Sequence, residues 1–198
     1  LGEQALWLPG GASSTGGDCL AQRFPADRLD HLNAAALACS PTDLLIYPLV
    51  RRGERLPFLN AQATGFVLGK ADSEEAYYAA HLEGLAYVER LCYQVVESLG
   101  GSVGDEIFVA GGGAHSKAGL QIRADVLGKE LRVPDVPLGA MGAAVLAARG
   151  CAYRSVAEAV RQMVHCQQSV SPRQEYRAPY GERYARFVTA CSERGYLA

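Results

Sequence analysis

The chain has 198 residues, 49% hydrophobic and 20% charged, enough apolar material for one well-filled core. Its 19 basic and 21 acidic side chains leave a net charge of −2, with no basic footprint for nucleic acid. No apolar run approaches the roughly 18 residues of a membrane span.

Leu1-Gly2-Glu3-Gln4 has neither the basic start nor the apolar core of a signal peptide, and there is no initiator Met. The chain is therefore expected to be an excised or processed piece of something longer. Ala5, Leu6, Trp7 and Leu8 before Pro9-Gly10-Gly11 read as the end of a strand or hairpin. Ala12 to Phe24 begins with small residues and turns helix-like, with Cys19, Leu20 and Phe24 on one side and Ser14 or Thr15 as a cap. By spacing alone this is a Gly-rich loop feeding a helix. A short helix follows over Ala26 to Cys39, closed by Ser40-Pro41, and Asp43 to Pro48 reads as a buried strand. Leu49 to Phe66 is a polar loop, in which an internal Glu54–Arg55 pair is expected to brace the turn.

Asp72 to Leu99 is the clearest helix, opened by a capping-box-like Asp72 and Glu75 and ended by Gly100-Gly101. Leu85, Val88, Cys92, Val95, Val96 and Leu99 supply its apolar stripe. His81 is assigned no role, since a lone His on a helix is mostly a surface or satisfied core residue.

Ile107 to Ala110 is a short apolar run bounded by Gly104-Asp105 and by three glycines, the pattern of a buried strand. After Gly111-Gly112-Gly113, the residues Ala118, Gln121, Ile122, Val126 and Leu127 recur at helical spacing up to Gly128. Glycines between a strand and a helix leave the main chain open to a ligand, and the helix start adds N–H groups that suit a nucleotide. Taken alone the signal reads more simply as a tight turn in an α/β domain, and it matches neither GxGxxG nor GxxxxGK[ST]. Leu131 to Val133 is a strand, and Gly139 to Arg149 a helix whose small residues, Gly139 and Gly142 among them, suit close packing on a neighbour. Ser155 to Val164 is an amphipathic helix, Ser169 to Pro179 a polar linker and Tyr180 to Cys191 a last helix. Residues 1–198 make one domain. The six cysteines form no CxxC pair and have no His at finger-like spacing, so small buried hydrophobes in a reducing cytoplasm are expected. Asp105, Asp125 and Asp135 are expected to be solvated acids.

Three segments in order, GGGAHSKAGLQIRADVLG (111–128), ELRVP (130–134) and LGAMGAAVLAA (138–148), resemble the C-terminal half of the FGGY carbohydrate kinases. Gly53 to Pro57 (GERLP) and Leu82 to Ala86 (LEGLA) resemble two further segments of that family. The first lies at the mouth of the family's interdomain cleft, which implies Glu54 and Arg55 as shaping the cleft wall, the alternative to their bracing the loop as an internal pair. The resemblance implies an α/β domain of the actin-like ATPase (ribonuclease H-like) type, a central mixed sheet flanked by helices. It implies ATP as cofactor, with main chain facing the adenosine at Gly112, Gly113 and Ala114 and, across from them, at Gly16 and Gly17. Lys117 stands where relatives carry a residue that touches the purine. Leu20 replaces a Gln that some relatives carry. Mg2+ would be held mainly by the missing part of the enzyme. No residue of this chain matches the family's catalytic aspartate, and the N-terminal sugar-binding domain and the start of the C-terminal domain are missing. GGASSTGG followed by DCLAQRF looks most like the ribulokinase and xylulokinase branch, so the sugar implied is a ketopentose such as ribulose or xylulose. The expected partners are ATP, a small sugar, the missing domain and, in a homodimer, a second copy. The alternative is a nucleotide-binding or assembly module of the same fold without turnover.

Overall fold

A computed structural model describes residues 10–166 and 168–197; the strand end expected over Ala5 to Leu8 lies outside them. The elements run α1 (Asp18–Arg23), α2 (Leu29–Cys39), β1 (Leu45–Tyr47), β2 (Phe66–Leu68), α3 (Glu74–Ser98) and β3 (Glu106–Phe108). There follow α4 (Lys117–Leu127), β4 (Glu130–Val133), α5 (Gly139–Cys151), α6 (Val156–Met163), β5 (Gln168–Val170) and α7 (Arg177–Glu193). The result is an α/β domain with a two-stranded antiparallel hairpin, β1–β2, and a mixed three-stranded sheet in the order β3-β4-β5. Strands β3 and β4 are parallel, with α4 as the crossover, while β4 and β5 are antiparallel.

Helix α3 is the spine. Ser73 caps it, its Oγ accepting from Ala76 N at 3.1 Å, so the start lies one residue beyond the expected Asp72. The core face of α3 carries Tyr78, Ala79, Leu82, Ala86, Tyr87 and Leu91, spaced by one helical turn and packed against α2, β1 and α7. Aromatic rings fill the space between them: Tyr47 stacks on Phe187 with centroids 5.7 Å apart, and Tyr87 lies 5.4 Å from Phe187. The stripe expected from sequence faces elsewhere. Of its members only Val88 is buried, and Leu99 is 82% exposed. A second cluster under the mixed sheet joins Ile107 and Val109 to Leu120, Ala124, Leu131 and Val133.

Four further expectations change. The run at 107–110 is not buried on both faces: Ile107 and Val109 point inward, and Phe108 is 64% exposed between them. The segment read as a linker begins with β5, which adds an edge to β4. Its Arg173 then clamps Asp125, through N at 2.7 Å, Nε at 3.0 Å and Nη2 at 2.7 Å, so Asp125 is a buried, paired acid and not a solvated one. In α5 only Val145 is buried, and a Cβ at Gly139 or Gly142 would meet nothing within 4 Å, so the close packing expected of these glycines is not found among the described residues. His81 is buried, with Nδ1 2.8 Å from Tyr77 O, and burial holds its imidazole below the ordinary range. All six cysteines are free thiols, Cys19 and Cys191 buried.

Candidate functional site

Two glycine turns face each other across an open cleft of about 940 Å³. One wall is the stretch from Ser13 to Gly17 that opens α1. The other is Gly112 to Ser116, a 3₁₀ turn that leads from β3 into α4. Leu29, Asp30 and Asn33 of α2 close one side, and α3 supplies an apolar floor that includes Leu85, Val88, Cys92 and Val96. Four of the six stripe residues thus line this cleft, with Val88 and Cys92 also packed in the first core cluster.

The three glycines of the second turn serve different ends. Gly111 sits at φ +84°, where a side chain would be strained, with its N–H donating to Pro137 O at 2.7 Å and its carbonyl accepting from Ala114 N at 3.1 Å. Gly112 and Gly113 need no such conformation, and a Cβ on either would meet nothing within 4 Å. Both line the cleft, so the space a side chain would fill is cleft space. The first N–H groups of a helical turn have no partner inside it, which suits this wall to an anion or a sugar edge. Gly17 has the same open surroundings on the facing wall.

Of the six residues expected at a nucleotide, Gly17, Gly112 and Gly113 line the cleft. Gly16, Ala114 and Lys117 stand beside these in the chain without lining it. Ala114 is buried in the second core cluster, and Lys117 is exposed at the first turn of α4. Ser116 caps α4, accepting from Gly119 N at 2.9 Å, and donates to Asn33 Oδ1 at 2.5 Å, which ties the turn to α2. Leu20 lines the cleft, so the position that is polar in some relatives is apolar here.

Two carboxylates near the cleft have partners that the sequence did not indicate, and the first, Glu89, was not singled out in it at all. Glu89 and Arg123 form a bidentate pair, Oε2–Nε and Oε1–Nη2 both at 2.7 Å, with Tyr93 OH donating to Glu89 Oε1 at 3.1 Å. Burial pulls the Arg123 guanidinium down, but Glu89 outweighs it and holds it above its ordinary value. Their end of the cleft is therefore close to neutral.

The other is Glu54, 1% exposed. Arg55 gives it only a backbone N–H at 2.9 Å, so the expected Glu54–Arg55 ion pair is not formed. Instead the carboxylate accepts from Ser13 Oγ (3.0 Å), Ser14 N (2.5 Å), Thr15 Oγ1 (2.8 Å) and Tyr47 OH (3.0 Å). Of Ser14 and Thr15, either of which was expected to cap α1, Thr15 spends its hydroxyl on this acid, and α1 starts from Gly17 without a side-chain cap. Burial pushes the Glu54 carboxyl up, yet the hydrogen bonds from Ser14, Arg55, Thr15 and Ser13 prevail and hold it below the ordinary range. The signal in the sequence was the hydroxyls of Ser13 and Thr15, which need an acceptor when the loop is folded inward.

A strand, a glycine turn with open backbone and a helix, with a second glycine turn lining the same cleft, define an α/β domain with a glycine-lined cleft. The profile of the FGGY family of carbohydrate kinases, C-terminal domain, matches residues 6–151, and the chain belongs to that family, with its actin-like ATPase fold. The xylulose kinase of Staphylococcus epidermidis is 29% identical over 160 residues, 78% of this chain and 32% of that protein. The glycerol kinase of Streptococcus uberis is 27% identical over 133 residues, 66% of this chain and 27% of its own. Among solved structures, a xylulose kinase from Rhodospirillum rubrum superposes with a TM-score of 0.73 at 22% identity, covering 91% of this chain and 38% of that one. A gluconate kinase from Lactobacillus acidophilus reaches 0.78 at 18% identity with the same coverage. The chain spans about a third of the length of the curated relatives it matches. No helix among the described residues is long and apolar enough to cross a membrane.

Proposed function

We propose that this chain is the ATP-binding half of a cytoplasmic carbohydrate kinase that transfers the γ-phosphoryl group of ATP to a sugar hydroxyl. The observation that carries the reading is the pair of glycine turns, Gly17 on one side and Gly112-Gly113 on the other, whose missing side chains leave the backbone open to the cleft. An adenine nucleotide fits what is present. The cleft is at the upper end of the size range of small-molecule sites, about 300–1,000 Å³, and a Cβ at 112 or 113 would intrude on its ligand. Main chain at Gly112 and Gly113 would carry the adenosine, with Gly16 and Gly17 opposite and Ala114 and Lys117 at the margin. The apolar floor beside Leu20 and Leu29 would exclude water from the base. Bound ATP supplies the phosphoryl group, and this chain's residues bind and orient it. No catalytic base is assigned to the chain, and no residue of it is named as a ligand of Mg2+. The acid–base chemistry and most of the sugar site would belong to an N-terminal domain outside this sequence. A ketopentose such as xylulose or ribulose is the first choice of acceptor, in keeping with the xylulose kinases among its relatives.

The test is ADP and ATP binding by calorimetry, with and without Mg2+, against Gly113→Val. The wild-type chain is expected to bind and the variant to lose binding, with a thermal midpoint unchanged to about 2 °C because a Cβ at 113 meets no protein atom within 4 Å. Equal binding by both chains would take the nucleotide off this turn.

A further inference from the structure

The stretch from Ser13 to Gly17 forms a wall of the cleft, yet what holds it in place is not its own helix. Three successive residues, Ser13, Ser14 and Thr15, each donate to the single carboxylate of Glu54, 39 to 41 positions away in the chain. Thr15 N adds a bond to Ser13 Oγ at 2.9 Å, so the stretch closes on itself around the acid. No cation shares this carboxylate among the described residues. Five hydrogen bonds offset the cost of burying the charge, and charge-assisted bonds to an ion are about twice as strong as neutral ones.

The acid itself is rigidly mounted. Glu54 pairs with Asn60 through both main-chain bonds, N to O at 2.9 Å and O from N at 3.0 Å. Gly53, at φ +98°, donates to Ala63 O at 2.8 Å and seals the base of that turn. Tyr47, which gives the fifth bond, is a fully buried residue of β1. Leu56 of the same turn reaches the cleft beside Gly11, where an added Cβ would lie 2.7 Å from its Cδ2.

We propose that Glu54 is a positioning residue of the nucleotide site: its carboxylate templates Ser13, Ser14 and Thr15 and thereby fixes where Gly17 faces the ligand. The proposal rests on the nucleotide reading given above. It gives the acid of the GERLP segment a task across the fold, in place of bracing its own loop.

Two variants test it in the 198-residue chain. Glu54→Gln keeps the shape and removes the charge. Ser13→Ala with Thr15→Ala keeps the acid and removes two of its donors. Hydrogen exchange followed by mass spectrometry is expected to rise about tenfold or more at residues 13–17 in both, while amides of α3 stay protected as in the wild type. ADP affinity by calorimetry is expected to fall about tenfold in both. Unchanged exchange at 13–17 in Glu54→Gln overturns the templating, whether or not nucleotide binds. Faster exchange with unchanged ADP affinity overturns the positioning role and leaves a merely structural one. Absence of ADP binding by the wild-type chain overturns the nucleotide reading, and this role with it. A wild type that binds and a Glu54→Gln that binds equally well overturn this proposal alone.

Discussion

Position 84 has room for a hydrogen and nothing more. A Cβ built there would lie 2.3 Å from Ile46 O and 3.1 Å from Pro48 Cδ, because β1 crosses α3 in direct contact. Backbone cannot swing aside as the end of a side chain can, so Gly84→Ala must push the hairpin off the spine. We expect a loss of about 1–3 kcal/mol in urea unfolding, of the size found for overpacked cores. An unchanged midpoint would mean that the strand yields freely. The contrast with Gly113, where the same addition meets no protein atom, separates two uses of one residue type. In the sequence the glycines of LEGLA and of the triple-glycine turn look alike. Neither the contact of Gly84 with a carbonyl 38 positions away nor the positive φ of Gly111 has a local signature. What was legible was that the glycine turn between strand and helix would lie open, and at Gly112 and Gly113 it does. What was not legible was that Ala114 would turn inward to the core, since alanine is as much at home buried as facing a ligand.

Helix α3 shows the same divide for a whole element. Its extent was written in its ends, to within a residue or two. Its orientation was misread, because the face that packs carries tyrosines, alanines and two buried polar groups, His81 and Glu83, while the line of Leu, Val and Cys lies over the cleft. Glu83 gives this element a pH dependence. Burial raises its carboxyl to about 7, against hydrogen bonds from Thr42 Oγ1 at 2.6 Å, Thr42 N at 2.9 Å and Tyr180 OH at 3.3 Å. The protonated form is accommodated: a proton on Oε2 donates to Thr42 Oγ1, whose own hydrogen has Leu44 O as a further acceptor at 3.4 Å. A carboxyl raised in the fold favours the folded state while both states are protonated. That contribution is fully present below about 4.5 and is lost as pH rises through about 7. Relative to Glu83→Gln, which does not titrate, the wild-type chain should therefore lose about 3 kcal/mol of unfolding free energy between pH 4.5 and pH 8. Parallel stability curves for the two chains across that interval would refute the assignment.

On the scale of the whole molecule, the cleft joins pieces far apart in sequence: α1's approach, α2, one face of α3 and the start of α4. A ligand there bridges elements that must all be in place, so binding is linked to global stability. The family resemblance implied the overall fold and a cleft wall near Glu54, yet it could not show which residues that acid would hold, because Glu54 and Ser13 meet only after β1 and the loop from 53 to 63 are folded. The linkage is measurable. MgADP at one hundred times its dissociation constant adds about 2.7 kcal/mol to the folded state. At about 2–4 °C per kcal/mol for a domain of this size, the thermal midpoint should rise by roughly 5–10 °C. Gly113→Val at the same ADP concentration should show no rise. Xylulose or ribulose alone should leave both midpoints where they are, since the residues that would hold the sugar are assigned to a domain outside this chain. For the same reason the 198-residue chain with ATP and either sugar should form no sugar phosphate. A midpoint raised by the sugar alone, or product above the level of a Gly113→Val control, would move the acceptor site into this domain. The division of labour proposed here would then be wrong, even with the nucleotide correctly placed.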